Sequence, residues 1–282
     1  MGSPILRATT LPPLDDPREL DPAIVAGFER DGHTVVRGLA SADEAAAYRP
    51  VIEQAALDKA WDKRPLEERD TYGKAFLQSF NLWRVDSAIA QFVLAPRFAR
   101  VAAELLGVDG VRLYHDQALC KEPGGGRTPW HQDQFYWPLD TDRTVTMWMP
   151  LVDVPAEVGS MTFVTGSHHM GDLRGKRISD ASDAEFSQLI EERGLPTDTH
   201  GAMSAGDATF HNGWTIHSAA PNPTGMLRTV MTVIYMADGI RVVPETSGEE
   251  QEFDRKIWLG GAAPGSLIDS DLNPLIWSRA RT

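Results

Sequence analysis

The chain has 282 residues, a hydrophobic fraction of 42% and a formal net charge of −13 at pH 7, which is typical of a globular protein with a substantial core. No run approaches the roughly 20 apolar residues of a membrane helix, and the acidic surplus opposes binding to nucleic-acid phosphates. Because the only cysteine is Cys120 and the N-terminus lacks the pattern of a secretory signal, we expect a cytoplasmic protein. A monomer and a homodimer are both open.

The first part of the chain, to about residue 107, is predicted to be mainly helical. Apolar residues at helical spacing predict a helix in LDPAIVAGFERDG that ends at Gly32, and a short strand follows in HTVVRG. Ser41 and Glu44 have the spacing of a capping box, in which each side chain satisfies the other residue's free backbone N–H. A further helix is predicted in APRFARVAAELLG, with a glycine stop at Gly107.

From about residue 108 to residue 240 the pattern changes to short β-rich runs separated by Gly, Pro and Asp. The clearest runs are VRLYHDQALCKE, TVTMWMPLVDV, SMTFVTGS, DATFHNG and RTVMTVIYMA. Many short strands with turn signals predict a sandwich or barrel, interrupted by one helix in SDAEFSQLIEERG. We therefore predict a single domain, residues 1–282, that is mainly β, with N-terminal helices packed on one side and a wrapping tail from about residue 241.

The stretch TPWHQDQFYW places His131 two residues before Asp133. Pro129 disfavours a helical conformation for the preceding residue, so the segment is predicted to be extended. Residues at positions i and i+2 of an extended chain share a face, and the imidazole and the carboxylate then converge on one point. The flanking aromatic residues are predicted to shape an apolar pocket: Trp130, Phe135, Tyr136 and Trp137.

A complete metal site needs a third ligand, and His217 is favoured by the residues that follow it. PNPTG is a strong turn signal, and an antiparallel hairpin centred on it places His217 opposite Arg228. An arginine in an apolar strand needs an anionic partner if it is buried, and a planar guanidinium suits a carboxylate. The other histidines are interpreted as structural, although the strand spacing of His115 is compatible with the same cavity.

Two histidines and one carboxylate with open coordination positions form the facial triad of non-haem Fe(II) oxygenases. The same ligands also suit zinc in a hydrolase, with Asp153 and Glu157 as candidate general bases. Arg228 favours the oxygenase, because it implies a co-substrate with a carboxylate close to the metal.

Three segments resemble the phytanoyl-CoA dioxygenase family of Fe(II)/2-oxoglutarate-dependent oxygenases: WHQDQFYW, GSMTFVTGSHHMG and HSAAPNPTGMLRTVMTVIYM. The similarity extends from the N-terminal helix to about Ala237. Met161 and Thr165 stand where the family often has leucine and usually has proline. The resemblance implies a double-stranded β-helix, also called a jelly roll, with Fe(II), 2-oxoglutarate and O2 as its cofactor and co-substrates.

The resemblance also implies roles for individual residues. Iron would be held by His131, Asp133 and His217, and the distal carboxylate of 2-oxoglutarate would pair with Arg228. Residues predicted to lie beside the co-substrate or to reach the pocket are Gln117, Trp148, Gln78 and Asn81. Phe135, Tyr136 and Trp137 are predicted to contact the substrate.

The implied reaction is oxidation of a small or medium organic molecule, typically by hydroxylation, with release of succinate and CO2. Related halogenases replace the carboxylate ligand with a small residue, so Asp133 argues against halogenation. The acidic chain shows no basic cluster for the phosphates of coenzyme A. By analogy with bacterial members, we expect natural-product tailoring. A non-catalytic 2-oxoglutarate-binding barrel and a zinc hydrolase are the alternatives.

Overall fold

The computed structural model describes residues 11–156, 158, 160–173 and 177–281, and the strands of these segments form two facing antiparallel sheets. The strands are β1 (His33–Val36), β2 (Leu77–Phe80), β3 (Gly110–Lys121), β4 (Thr128–His131), β5 (Thr144–Pro150), β6 (Met161–Val164), β7 (Thr197–Asp198), β8 (Ala208–Asn212), β9 (His217–Ala219), β10 (Arg228–Ala237) and β11 (Leu275–Ser278). The helices are α1 (Pro22–Asp31), α2 (Ala42–Lys59), α3 (Ser87–Val93), α4 (Pro96–Leu106), α5 (Asp180–Arg193) and α6 (Glu249–Ile257).

The larger sheet has seven strands and the smaller has four. In the larger sheet the order is β1-β8-β5-β10-β3, and the free edge of β3 pairs with β11 at its start and with β2 at its end. The smaller sheet has the order β4-β9-β6-β7. This arrangement is a jelly roll, so the prediction of a mainly β fold with flanking helices is confirmed.

The N-terminal helices cover the outer face of the larger sheet. Helix α2 contacts β2, β3 and β10, and α4 contacts β3, β5, β10 and β11. The capping box is present: Ser41 Oγ accepts from the N–H of Glu44 at 3.1 Å, and Glu44 Oε2 accepts from the N–H of Ser41 at 2.7 Å. Helix α1 ends at Gly32 and α4 at Gly107, both with left-handed backbones, as the sequence predicts. Helix α5 packs instead on β4.

The central strand β10 separates the packed core from the interior of the jelly roll by simple alternation. Met231, Val233 and Tyr235 belong to the core cluster beneath the helices. Thr232 and Ile234 point to the opposite side and line an internal cavity. This is the two-residue period of a strand, and it explains how a strand buried along its whole length serves both a core and a site.

The tail after β10 wraps back over the barrel. Helix α6 contacts the short 3-10 turn Asp133–Tyr136 that follows β4. Trp258 is buried and lies 5.1 Å from the ring of Phe80 and 4.9 Å from that of His115, between ring centroids. In the segments that the structure describes, no helix combines the length and apolarity needed to span a bilayer.

Candidate active site

A cavity of about 520 Å³ lies between the two sheets. Strands of both sheets supply its inner wall, and the tail supplies part of its mouth. The polar side chains that line it include Gln78, His115, Gln117, Thr128, His131, Asp133, Thr146, His211, His217, Arg228, Thr232, Glu249, Glu250 and Asp254. The apolar and aromatic lining includes Trp61, Tyr72, Phe76, Phe80, Tyr136, Trp137, Trp148, Phe253 and Trp258.

His131 and Asp133 face the same point of this cavity, but they do not share a strand. Strand β4 ends at His131, and Asp133 begins the 3-10 turn; the intervening Gln132 stays extended, with φ −122° and ψ 126°. One extended residue is enough to put the two side chains on one side. Thr128 and His131 are three residues apart, so in a regular strand their side chains would point to opposite faces. An irregularity in pairing between them turns both Thr128 and His131 into the cavity, as a β-bulge does.

His131, Asp133 and His217 form a cluster suited to a metal ion. Their ligand atoms all lie within 4.8 Å of one another. The distances to Asp133 Oδ1 are 3.5 Å from His131 Nε2 and 3.7 Å from His217 Nε2. Ligands bound to one ion at about 2.0–2.2 Å lie roughly 3–3.6 Å apart, so the donor set is close to the spacing that one divalent cation requires and needs only a slight contraction.

The second ring nitrogen of each histidine is held by the backbone. His131 Nδ1 lies 2.8 Å from the carbonyl oxygen of Pro129, and His217 Nδ1 lies 2.9 Å from that of Thr215. A carbonyl only accepts, so each Nδ1 carries the proton and each Nε2 presents a lone pair to the cluster. Burial, together with the neighbouring His131 and His211, holds the pKa of His217 well below its usual range, which keeps the imidazole in its neutral, metal-binding form.

The carboxylate of Asp133 is held from outside the cluster. Its Oδ2 accepts from Thr146 Oγ1 at 3.0 Å and lies 3.1 Å from His211 Nε2, which leaves Oδ1 directed at the two histidines. Burial favours the protonated acid, but contacts with His217, His131 and His211 outweigh it and hold the pKa of Asp133 well below its usual range. The carboxyl is therefore ionised, as a metal ligand must be.

Arg228 is buried at the start of β10, where it lines the cavity. The hairpin predicted from PNPTG is wrong in its pairing: β9 pairs with β4 and β6, whereas β10 pairs with β3 and β5. The turn carries the chain from one sheet to the other, so His217 and Arg228 approach the cavity from opposite walls. Burial lowers the pKa of Arg228 to about 10, and the side chain remains a cation.

Gln117 and Trp148 lie in one transverse row across the larger sheet. Thr232 is the register partner of both. The guanidinium carbon of Arg228 lies 5.3 Å from the centroid of the Trp148 ring. Gln78 donates from Nε2 to Gln117 Oε1 at 2.8 Å, which orients the amide. These contacts form one polar corner of the cavity.

The residues predicted to contact a substrate are only partly brought together. Tyr136, Trp137 and Gln78 line the cavity. Phe135 does not; its ring packs against Tyr136 at 4.9 Å between centroids. Asn81 does not either: it adopts a left-handed backbone with φ 49°, begins a 3-10 turn and donates its N–H to the carbonyl oxygen of Asp116.

Trp130, grouped with those aromatic residues by sequence, also lies away from the cavity. It packs in a small cluster with Phe186 of α5 and with Val164. Tyr136 and Trp137 are joined in the aromatic wall by residues distant in sequence, from the loop before β2, from β2 itself and from the tail.

Three polar residues of the site were not identified from the sequence. His211 and Thr146 hold Asp133. Thr128 lines the cavity with a buried hydroxyl oxygen that has no hydrogen-bond partner among the residues that the structure describes. His211 carried one usable signal, because FHN interrupts an apolar strand with a histidine. Thr128 and Thr146 carried none, since threonine is ordinary in strands.

A jelly roll that carries two histidines and one carboxylate around an internal cavity defines the 2-His-1-carboxylate class of metal-dependent oxygenases. The family model Phytanoyl-CoA dioxygenase (PhyH) matches residues 28–230, which is most of the chain and includes the cluster and Arg228. The chain belongs to the phytanoyl-CoA dioxygenase family of Fe(II)/2-oxoglutarate-dependent oxygenases, as the sequence resemblance indicated.

Individual relatives agree with this assignment. An ectoine dioxygenase of Nocardia farcinica (strain IFM 10152) is 25% identical over 256 residues, covering 80% of this chain and 84% of that protein. The epimerase SnoN from nogalamycin biosynthesis, solved in complex with Fe3+, alpha ketoglutarate and nogalamycin RO, has a TM-score of 0.74 at 28% identity and covers 91% of this chain and 100% of that chain. The carbocyclase SnoK of the same biosynthesis shares the fold, with a TM-score of 0.74 at 24% identity over 92% of this chain and 99% of that chain.

Proposed function

We propose that this protein uses the His131–Asp133–His217 cluster to bind Fe(II) and, with 2-oxoglutarate and O2, hydroxylates an organic molecule built largely of apolar rings. The observation that carries the proposal is the convergence, in one cavity, of that cluster and the buried cation of Arg228. A metal cluster alone fits several reactions. The arginine adds a requirement for a carboxylate-bearing co-substrate.

The donor set fits iron by its chemistry: two neutral imidazoles and one ionised carboxylate. Bound there, Fe(II) with 2-oxoglutarate activates O2 for oxidation of the substrate. The protein's own contribution is to fix the ligands before the metal arrives. Pro129 and Thr215 set the proton on each imidazole, and Thr146 and His211 occupy one oxygen of Asp133.

Arg228 binds the distal carboxylate of 2-oxoglutarate in this proposal. A guanidinium offers parallel donors to both carboxylate oxygens. Thr128 adds a hydroxyl from the facing sheet, and its buried oxygen would gain the partner that the protein does not supply. Trp148 stacks on the guanidinium and shields it from water. Gln117, oriented by Gln78, lines the same cavity and helps to position the co-substrate in this proposal.

The remaining volume is bounded by rings. Tyr72, Phe76, Phe80 and Tyr136 come from the body of the protein, and Trp258 comes from the tail. Such a wall favours a small or medium organic molecule with a cyclic, largely apolar framework. It agrees with a role in natural-product tailoring, and the solved complex of SnoN with nogalamycin RO supplies one example from the same fold.

The zinc hydrolase has less support. Of its candidate bases, Asp153 is exposed and accepts a hydrogen bond from the backbone N–H of Ala205 at 2.9 Å, and it does not line the cavity. Glu157 lies outside the described residues. Membership of the oxygenase family argues against the zinc hydrolase, and it argues against the non-catalytic barrel as well.

The test begins without oxygen. Fe(II) and then 2-oxoglutarate are added to metal-free protein, and the visible spectrum is recorded. We expect a weak charge-transfer band that requires both additions and is lost in His217→Ala and in Arg228→Ala. Succinate release in air then serves as the readout for candidate substrates. Confirmed iron binding without the band would reject the carboxylate site, and turnover with zinc in the absence of oxygen would favour the hydrolase.

A further inference from the structure

A second group of metal-binding side chains lies at the edges of the two sheets. His33 begins β1, the edge strand of the larger sheet, and Asp198 ends β7, the edge strand of the smaller sheet. His200 follows β7 by two residues. One ligand atom from each of the three residues lies within 4.8 Å of the others. The group is therefore formed by segments from both walls of the jelly roll.

The two imidazoles are arranged as ligands of one ion. His33 Nδ1 lies 3.1 Å from His200 Nε2, and His33 Nε2 lies 3.1 Å from Thr165 Oγ1. When Thr165 Oγ1 accepts a hydrogen bond from Nε2–H, His33 Nδ1 presents its lone pair toward His200. Two nitrogens bound to one zinc ion at about 2.0–2.1 Å are separated by roughly 3.3 Å, so the observed spacing fits.

Neighbouring residues hold this geometry in place. The His33 ring stacks on Phe163 with centroids 4.7 Å apart and planes 10° from parallel. Arg37 donates to the backbone carbonyl of His200, and the backbone N–H of Thr199 binds Asp198 Oδ1 at 2.8 Å. Such outer contacts around ligands are what a metal site needs to be preorganised.

The charge state and access also suit a metal. Burial and the neighbouring His200 lower the pKa of His33 to about 4, and burial lowers the pKa of His200. Both rings are therefore neutral at neutral pH, which is the form that coordinates metal. Asp198 is exposed, so an ion can enter from solvent without passing through the cavity.

We propose that His33, Asp198 and His200 form a second divalent-cation site, occupied by Zn2+, that joins the edges of the two sheets. Two imidazoles and one carboxylate match the ligand preference of zinc. The site is separate from the proposed iron centre, because the ring of Phe163 lies between His33 and the pair His211 and His217. Its role is structural: the ion links β1 to β7, two strands that do not pair with each other.

Zn2+ alone is the probe. Full-length wild-type protein, stripped of metal, is dialysed against Zn2+ and analysed for bound metal, and its melting temperature is recorded with and without the ion. We expect two zinc ions per wild-type chain, one at each centre. His200→Gln should bind one, and so should the double variant His131→Ala, His217→Ala. When the first site is removed, Zn2+ should raise the melting temperature only of chains whose second site is intact.

The controls separate loss of the site from loss of folding. His200 is partly exposed, and its replacement leaves the buried His33 in place. His169→Gln removes an exposed histidine, whose ring centroid lies 3.9 Å from that of His168, and should leave two ions bound. Thr165→Val removes only the partner of His33 and should weaken the second site about tenfold or more. Equal zinc stoichiometry in wild type and His200→Gln would overturn the proposal, as would a single ion in wild type that is lost in the double variant His131→Ala, His217→Ala.

Discussion

Replacing His211 with phenylalanine would remove one of the two hydrogen bonds that hold the outer oxygen of Asp133. Thr146 supplies the other, and the two contacts are of nearly equal length, 3.0 and 3.1 Å. A hydrogen bond to a charged group contributes about 1.5–3 kcal/mol, and each 1.4 kcal/mol is about a factor of ten. If Asp133 must then be ordered by the metal itself, the affinity for Fe(II) should fall by about 10–100-fold.

The assay is an anaerobic Fe(II) titration in saturating 2-oxoglutarate, followed at the charge-transfer band. The ring centroids of His211 and His217 lie 4.2 Å apart. Phenylalanine at position 211 keeps a ring against His217, so packing is largely preserved. Thr146→Val is the matched variant, since it removes the second hydrogen bond at almost constant shape, and its effect should be similar. Unchanged iron affinity in both variants would refute the idea that these two residues position the carboxylate.

Three further predictions concern other parts of the molecule. Arg228→Gln should raise the KM for 2-oxoglutarate by about 10–100-fold, measured by succinate release, and an unchanged KM would contradict its role. Burial raises the pKa of Asp254 to about 7, so its contribution to stability is present below about pH 4 and is lost as the pH rises through 7. The free energy of unfolding, measured with urea, should therefore decline less between about pH 4 and pH 7 in Asp254→Asn than in wild type. Gly206→Ala and Gly38→Ala both place alanine on a left-handed backbone, at a cost of about 1–2 kcal/mol. Gly206→Ala should destabilise more, because only there would the new carbon meet a backbone oxygen, that of Ala40, at 2.2 Å. Equal melting temperatures of the two variants would contradict this.

Local signals in the sequence were sufficient where the structure is local. The capping box of Ser41 and Glu44 and the glycine stop at Gly107 depend only on neighbours within a turn. The convergence of His131 and Asp133 needs one extended residue between them, and it survives although the strand ends earlier than expected. Such features are determined by a few backbone angles.

Features that depend on pairing over long distances were not accessible in the same way. The turn after His217 was recognised, but whether a turn closes a hairpin or crosses between sheets depends on which strands compete for the same edges. Likewise Asn81 lies close in sequence to cavity residues, yet its left-handed backbone directs the chain into a turn. The histidine in FHN marks His211 as unusual, but its role depends on contact with Asp133, which is remote in sequence.

The larger sheet and the tail contribute different parts of the site, and this difference affects which parts can change between related enzymes. Arg228, Thr146 and His211 lie on strands of the larger sheet whose opposite faces support the main core, so most changes there alter folding as well. By contrast, the α6 segment with Phe253 and Trp258 borders the cavity mouth as one continuous stretch beyond the family-matched region. Sequence changes in this stretch can therefore alter which substrate binds, while the residues proposed to hold the metal and the co-substrate stay the same.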